Sequence, residues 1–418
     1  MLKPLFICLL IAILTVLLPG CAVITGEIIN EPAEKPVEVG TPVTTEFGRI
    51  LGYIPYSLIE EHDIWFGNPG KTKEMYGIDD SASYEGIREV LKQIPEERER
   101  QFISDLGAAL ITLPTWNRPE VVTLTGFDVM AANRLLCGGA VPPRGYFILE
   151  GDFDEELIGQ KLTGQGYTKT NYGQYSYYGI RGDFEIDIRH PLGRIALASM
   201  NRVAVLDNTI ITSPVAADIT SIFDAMDGDT PSAIDNAVCR SLADSLGDVL
   251  NATLTTPERI IFSDLYTQEE LPRFDFTLPA DWGVLRGYRM AALGCHAEGD
   301  ERFFDIALYY DDEATAAADG KEIVKRMSSY TLNTWSPAPE KVAFTDWYQP
   351  GEPVVTQYAG GAVLKIACRI LLPEERYGIS MVTGGVGMPF RDLLFLAPDP
   401  SEYIGKNEST VVIRQSNP

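Results

Sequence analysis

The stretch 146-YFILEGDFDEELIGQKLTGQGYTKTNYGQYSYYGI-180 decides the fold class. Tyr146 to Phe153 is rich in aromatic and aliphatic residues and is predicted to form a strand. An Asp-Glu pair then begins a predicted helix over Glu155 to Leu162, which two glycines close. Tyr167 to Ile180 returns to a strand pattern. Strands that group in this way around a helix favour an α+β fold over a strictly alternating α/β fold.

The second half of the chain repeats this order. Tyr288 to Ala297 and Arg302 to Tyr310 predict a hairpin, and Glu313 to Ser328 predicts a helix. Strands are predicted again over Val354 to Tyr358 and Ala362 to Leu372. We therefore expect a helical N-terminal segment followed by two similar halves, each with an antiparallel or mixed sheet flanked by helices.

Other segments give the remaining elements and a boundary. Ser83 is a predicted N-cap for a helix that runs through Leu91, and Val129 to Leu136 is predicted as a helix that ends at a Gly-Gly pair. Ile195 to Ser199 is predicted as a strand. A boundary near Thr255–Pro257 divides the body into a first domain, 47–257, and a second, 258–418.

Charge excludes one class of function. The 418 residues contain 34 Lys and Arg against 59 Asp and Glu, which gives a formal charge of −25 and a pI near 4.5. Proteins that bind nucleic acid present basic surfaces to the phosphates. We therefore expect no nucleic-acid partner.

The N-terminus has the pattern of an export signal. Lys3 precedes an uncharged apolar run from Leu5 to Leu18, which is too short for a membrane-spanning helix. The run ends in Leu18-Pro19-Gly20-Cys21, which resembles the lipobox of bacterial lipoproteins. The resemblance implies lipid attachment at the Cys21 thiol, cleavage after Gly20, acylation of the new amino group in some organisms, and an extracytoplasmic protein anchored to the cell membrane. An uncleaved anchor or an ordinary secretory signal is the alternative.

A tether is predicted to follow the signal peptide 1–20. Residues 21–46 hold several glutamates and prolines among Val and Thr, with no helical or strand period that persists. Such a chain repels itself and stays extended. An ordered strand through Val37 to Val43 is the alternative.

Four cysteines remain after the signal peptide and Cys21 are set aside. They are Cys137, Cys239, Cys295 and Cys368. If each half folds alone, the disulfides are Cys137–Cys239 and Cys295–Cys368. Buried free thiols are the alternative.

No catalytic, metal or cofactor motif is complete in this sequence. The stretch Gly67 to Thr72 resembles a phosphate loop but has the wrong glycine spacing, and a turn is the better interpretation. Gly384 to Gly387 has no clear strand and helix around it. Acid clusters at 224–229 and 311–313 lack a calcium-loop register, and His190 and His296 have no motif partner. We expect no cofactor and no metal.

A tyrosine cluster is the candidate recognition feature. Tyr172, Tyr175, Tyr177 and Tyr178 crowd a glycine-rich stretch, and such side chains offer large contact area and hydrogen-bonding hydroxyls. Counting along one strand puts Tyr175 and Tyr177 on one face and Tyr172 and Tyr178 on the other. The alternative is a hairpin whose tyrosines pack against a helix and each other.

Two function classes follow. The first is a non-catalytic lipoprotein that binds a ligand or an envelope protein, and the second is a cell-envelope hydrolase that uses carboxylates on glycan or peptide. The absence of any complete catalytic motif favours the first.

Overall fold

A computed structural model describes most of the body of the chain. The described residues are 45–79, 83–96, 98–99, 101–102, 105–106, 119–139, 145–257, 282–283, 285–334, 340–358, 360–371 and 394. The predicted signal peptide, Cys21 and nearly all of the predicted tether lie outside them, as does the 384–387 glycine stretch. The α+β class is confirmed, because helices flank one large antiparallel sheet.

Helices occur throughout the described chain. They are α1 Glu46–Leu51, α2 Tyr56–Glu61, α3 Pro69–Met75, α4 Tyr84–Leu91, α5 Pro119–Thr125, α6 Glu155–Gly164, α7 Pro191–Ala196, α8 Ala216–Asp227, α9 Ala237–Leu246, α10 Glu313–Ser329 and α11 Phe344–Trp347. Short 3-10 turns lie at Val129–Ala131 and Ala233–Asp235.

Thirteen strands form the large sheet. Those from the first part of the chain are β1 Ile64–Gly67, β2 Ala132–Gly138, β3 Tyr146–Gly151, β4 Thr168–Tyr172, β5 Tyr175–Gly179, β6 Arg202–Leu206, β7 Thr209–Ser213 and β8 Asn251–Thr255. The others are β9 Met290–Glu298, β10 Glu301–Tyr310, β13 Tyr348–Pro350, β14 Val354–Tyr358 and β15 Gly361–Ile370. A separate ribbon pairs β11 Thr331–Thr334 with β12 Glu340–Ala343.

The strand order is β13-β15-β10-β9-β8-β1-β2-β3-β7-β6-β5-β4, with β14 also paired to β15. Strand β4 is therefore one edge of the sheet. All described pairings in this sheet are antiparallel.

Alternating side chains give the sheet a core on each face. On one face, α1, α2, α8 and α9 cover a continuous cluster that includes Phe66, Ile148 and Ala292. The other face carries two clusters, one under α4 to α7 and one under α10 and α11. Because both faces are covered, most strands are apolar at consecutive positions rather than at every second one.

The predicted domain boundary falls between two strands of the same sheet. Strand β8 pairs with β9, with Asn251 opposite Cys295 and Thr255 opposite Ala291. The described residues of the body fall into one compact unit. The two predicted halves thus share one sheet.

Two predicted elements are wrong in type. The predicted helix over Val129 to Leu136 is a short 3-10 turn followed by β2, which pairs with β1 and β3 on its two sides. Gly138 serves close packing rather than a helix end, since a Cβ there would lie 2.4 Å from the Tyr146 hydroxyl. The predicted strand over Ile195 to Ser199 overlaps α7, which His190 caps and Pro191 begins.

No helix of the described residues has both the length and the apolar character that are needed to cross a membrane.

Candidate functional site

The β4–β5 hairpin forms the edge of the sheet and holds the tyrosine cluster. All five residues of β4, Thr168–Tyr172, are exposed, and β5 separates them from β6. Gly173 takes a φ of 55°, which a two-residue turn of this kind requires and glycine adopts without strain. An exposed edge strand presents backbone groups that can pair with another chain.

The turn changes which tyrosines share a face. Tyr172 lies directly opposite Tyr175, and Thr170 lies opposite Tyr177, so Tyr172, Tyr175 and Tyr177 face the same way. Tyr178 faces the other way, opposite Lys169. The predicted grouping of Tyr172 with Tyr178 is wrong. Tyr172 lies on β4 and Tyr178 on β5, and the two-residue turn between the strands means that alternation cannot be counted from one strand to the other.

Tyr172 and Tyr175 hold the hairpin against α8. The Tyr175 ring stacks on Phe223 with centroids 4.6 Å apart, and its hydroxyl donates to Asp227 at 2.7 Å. The Tyr172 hydroxyl donates to Asp224 at 2.9 Å. These hydrogen bonds raise the pKa of both tyrosines, because a carboxylate acceptor favours the protonated phenol. Both side chains therefore fix the edge strand to the body.

Tyr178 lines a groove on the opposite side. Helix α6 begins at the Asp154 cap and lies beside the hairpin, and an open groove of about 690 Å³ runs between them. We call it the edge groove. Its lining residues are Glu155, Glu156, Gly159, Gln160, Thr163, Lys169 and Tyr178.

The floor of the edge groove depends on one glycine. A Cβ at Gly159 would lie 2.4 Å from the Tyr178 hydroxyl, so only glycine lets the tyrosine approach the helix this closely. The Lys169 ammonium lies 5.7 Å from the centre of the Tyr178 ring. The acids Glu155 and Glu156 stand at the helix end of the groove and make that end negative.

The backbone of β4 has two residues that turn toward open solvent. Residues that flank a two-residue hairpin turn form a hydrogen-bonded pair. Along the two strands, hydrogen-bonded pairs then alternate with pairs that are not hydrogen-bonded to each other. Tyr172 and Thr170 therefore direct their N–H and C=O groups to β5. Lys169 and Asn171 direct theirs to the open edge, beside the edge groove.

The four body cysteines are buried free thiols. Phe304 lies opposite both Cys295 and Cys368, which places those two cysteines on strands two positions apart, roughly 10 Å from each other. A disulfide needs less than about 7 Å between Cα atoms, so this pair cannot close. Burial raises the pKa of the Cys239, Cys295 and Cys368 thiols, which disfavours the reactive thiolate.

In the stretch that resembles a phosphate loop, the side chains of Asn68 and Lys71 are engaged in contacts within the protein. The Asn68 side chain caps α3 by accepting from the Lys71 N–H at 3.1 Å, and the Lys71 ammonium contacts Asp248 at 2.6 Å. Asp224 and Asp227 accept the tyrosine hydroxyls, while Asp312 caps α10. Among the described residues, no group of three or more His, Cys, Asp or Glu side chains could hold a metal ion.

A polar cluster that the sequence analysis missed lies on β9, β10 and β15. His296 Nδ1 lies 2.7 Å from Asp305 Oδ2, and the Lys365 ammonium lies 3.3 Å from the same oxygen. Asp305 is fully buried, and its Oδ1 has no hydrogen-bond partner. The predicted hairpin of Tyr288 to Ala297 with Arg302 to Tyr310 contained the signal, since the pairing of its strands places His296 opposite Phe303 and near Asp305.

Comparisons with known proteins give no family. No protein-family profile matches this chain, and no curated protein matches it. Two solved structures, crystal forms I and III of TP0453, are similar with TM-scores of 0.31 and 0.32. Form I is 8% identical over 78% of this chain and 94% of that one, and form III is 9% identical over 79% and 96%. At these TM-scores the likeness carries no argument about function.

Proposed function

We propose that this protein is a membrane-anchored, extracytoplasmic lipoprotein that binds a partner without catalysis, and that the partner adds an extended segment to β4. The lipobox resemblance at Leu18 to Cys21 supports the anchor. The observation that carries the binding mode is an edge strand exposed along its whole length beside the edge groove.

An added strand uses both features. Its backbone pairs with the open N–H and C=O groups of Lys169 and Asn171, and its alternate side chains enter the edge groove. Glu155 and Glu156 at one end of the groove favour a basic side chain there. The hydrogen bonds of Tyr172 and Tyr175 to α8 keep the hairpin in place before binding, which lowers the ordering cost. The partner is therefore a protein with an extended, basic segment.

A short peptide of alternating lysine and valine tests this binding mode. We expect it to bind the mature chain, and we expect the Asn171→Pro variant to weaken binding about tenfold, because proline removes the outward N–H. Asn171→Ala keeps that N–H and should bind like the natural protein. Fluorescence anisotropy measures all three, with an alternating glutamate–valine peptide as the control.

Two results would count against the edge-strand mode. One is equal affinity for the basic and acidic peptides, and the other is equal affinity of Asn171→Pro and Asn171→Ala. If the peptide bound through net charge alone, the affinities of the Asn171→Pro and Asn171→Ala variants would both equal that of the natural protein. The comparison of these two variants therefore distinguishes strand addition from attraction by net charge.

The anchor has its own experiment. Cys21→Ser should abolish lipid attachment, so mass spectrometry of the expressed protein should show no added acyl mass and detergent partitioning should move it to the aqueous phase. An unchanged mass and unchanged partitioning of the variant would contradict the anchor.

One observation favours the hydrolase alternative. A buried carboxylate that orients a partly exposed histidine, as Asp305 orients His296, is an arrangement that general bases use. If the purified protein releases label from casein or peptidoglycan and His296→Ala abolishes the release, the hydrolase replaces the binding proposal. We expect no release.

A further inference from the structure

An apolar surface lies apart from the edge groove, on the segment between β5 and β6. Four of the eight exposed large apolar side chains of the described residues belong to it. They are Phe184, Ile186, Ile188 and Leu197. We call residues 181–197 the apolar segment. Scattered exposed apolar residues are ordinary, but this concentration within one segment is not.

The acidic side chains of the apolar segment are held by hydrogen bonds and ion pairs, although Asp183 and Glu185 are themselves exposed. Asp183 accepts from Arg202 at 2.8 Å, Glu185 accepts from the Gly182 N–H at 3.0 Å, and Asp187 lies 3.8 Å from Arg181. The alternate residues Phe184, Ile186 and Ile188 are left in solvent, with Ile188 61% exposed. Folding alone favours burial of these apolar side chains, because burial of apolar surface stabilises the chain.

Backbone strain is concentrated in the same segment. Arg181, Phe184 and Leu197 have φ angles of 80°, 58° and 52°, and they are the non-glycine residues with positive φ in the described chain. A bulky side chain in this region costs free energy that packing must offset, and such residues cluster at contact sites.

Charge and chain length indicate what covers this surface. Three arginines and three acids balance within the apolar segment, whereas the whole chain carries −25. Arg189 is 90% exposed but pairs with Asp187 at 3.0 Å, so the exposed Arg194 is the arginine that can reach a lipid phosphate beside the isoleucines. Only 25 positions separate Cys21 from Glu46, the first residue of α1, so an anchored body stays within at most roughly 90 Å of the bilayer.

We infer that the apolar segment is a second membrane contact, which inserts Phe184, Ile186, Ile188 and Leu197 into the interfacial layer of a bilayer. This inference rests on the proposed anchor, because lipid attached at Cys21 alone leaves the orientation of the body free. Four apolar side chains are enough for interfacial insertion but cover too little area for a stable protein interface. Contact through this segment fixes which side of the body faces the membrane.

Vesicle flotation of the mature chain with Cys21→Ser tests the contact without the acyl anchor. We expect the protein to float with phosphatidylcholine vesicles. The Ile186→Ser/Ile188→Ser double variant should reduce the bound fraction roughly tenfold, since it removes two inserted side chains. Val354→Ser is the matched control, because Val354 is also apolar and 57% exposed but lies on β14. It should float like the natural sequence.

The melting temperature of the double variant should change little, because Ile188 is 61% exposed and Ile186 36% exposed in the free protein. Equal flotation of the double variant and the Val354→Ser control would overturn the inference, and so would failure of the unsubstituted chain to float. Self-association in light scattering that the double variant abolishes would assign the surface to a second copy instead. None of these outcomes affects the mass measurement at Cys21, so failure here is distinguishable from failure of the anchor.

Discussion

At the scale of single residues, the edge groove depends on the contact between Gly159 and Tyr178. Glycine inside a helix costs about 1 kcal/mol relative to alanine, so its presence in α6 needs a local reason. The reason is the Tyr178 hydroxyl, which occupies the space that a Cβ would take. Glycine at position 159 therefore lowers the stability of the helix but allows the close contact with Tyr178 that shapes the edge groove.

Gly159→Ala should separate binding from stability. The new methyl group displaces the Tyr178 ring, while the gain in helix propensity offsets the displacement, so the melting temperature should stay within roughly 2 °C. Affinity for the lysine–valine peptide should fall several-fold. A lower melting temperature with unchanged affinity would show that Tyr178 only packs.

Tyr175 has a structural role rather than a free contact surface. Tyr175→Ala should lower the free energy of unfolding by about 2 kcal/mol, because it removes the stack on Phe223 and the hydrogen bond to Asp227. Tyr175→Phe keeps the stack and should cost less than half as much. Urea denaturation measures both, and equal stability of the alanine variant and the natural protein would be the contrary result.

The tyrosines also show where sequence reasoning ends at this scale. Composition alone identified the cluster, and alternation within one strand correctly paired Tyr175 with Tyr177. The face of Tyr172 depends on where the turn falls and how many residues it uses. Only the strand register decides that.

At the scale of elements, local signals predicted helices and hairpins well and a central strand poorly. Ser83 caps α4 as predicted, and Asp154 and Asp312 cap the predicted helices α6 and α10, since a capping side chain acts on the next few residues. Strand β2 is helical in propensity, and its pairing with β1 and β3 overrides that preference. One of the two partners, β1, lies far away in the chain, so no local pattern could reveal that pairing.

An ion-pair network joins α1 to β2 and β3. Arg49 donates to Glu150 at 2.7 Å through Nη1, and Arg134 lies 3.3 Å from the same carboxylate. Burial raises the pKa of Glu150, but hydrogen bonds from Arg49 and Tyr53 lower it, and together with the nearby arginine charges they outweigh burial. The pKa of Glu150 is therefore below its ordinary value. A lowered pKa in the folded state stabilises the fold above the ordinary value of 4.5, and the contribution is lost as the pH falls.

Glu150→Gln should therefore destabilise the protein in a pH-dependent way. The loss in unfolding free energy should be about 1–2 kcal/mol near pH 7 and should shrink toward zero as the pH drops well below the ordinary carboxyl pKa. Urea titrations of both proteins across this range measure the difference. A gap that stays constant with pH would mean that the network carries no charge-dependent stability. Buried acids with raised pKa, such as Asp105, are common to both proteins and cancel.

At the scale of the whole molecule, the sequence predicted the class of fold but not the continuity of its sheet. Turn and cap residues divided the chain into similar halves, and those signals are local. The two halves are joined by the pairing of β8 with β9. The residues of these strands have an ordinary strand pattern, and a long segment of chain separates them, so the sequence does not indicate that they pair. His296 and Asp305 likewise lie apart in the sequence, and only the register of the hairpin shows that their side chains are in contact.

The shared sheet predicts that the two halves do not fold separately. Residues 47–257 expressed alone would expose the β8 edge and lose Met290, Ala292 and Tyr309 from the core over α9. They would also leave the buried Asp105 carboxylate without Arg302, whose guanidinium donates to it at 3.0 Å. Removing one partner of a buried ion pair costs about 3–5 kcal/mol, a large part of the stability of an ordinary domain. We expect 47–257 alone to melt without cooperativity in near-ultraviolet circular dichroism and to regain cooperative melting when co-expressed with 258–418. A cooperative transition of 47–257 by itself would instead establish two independent domains.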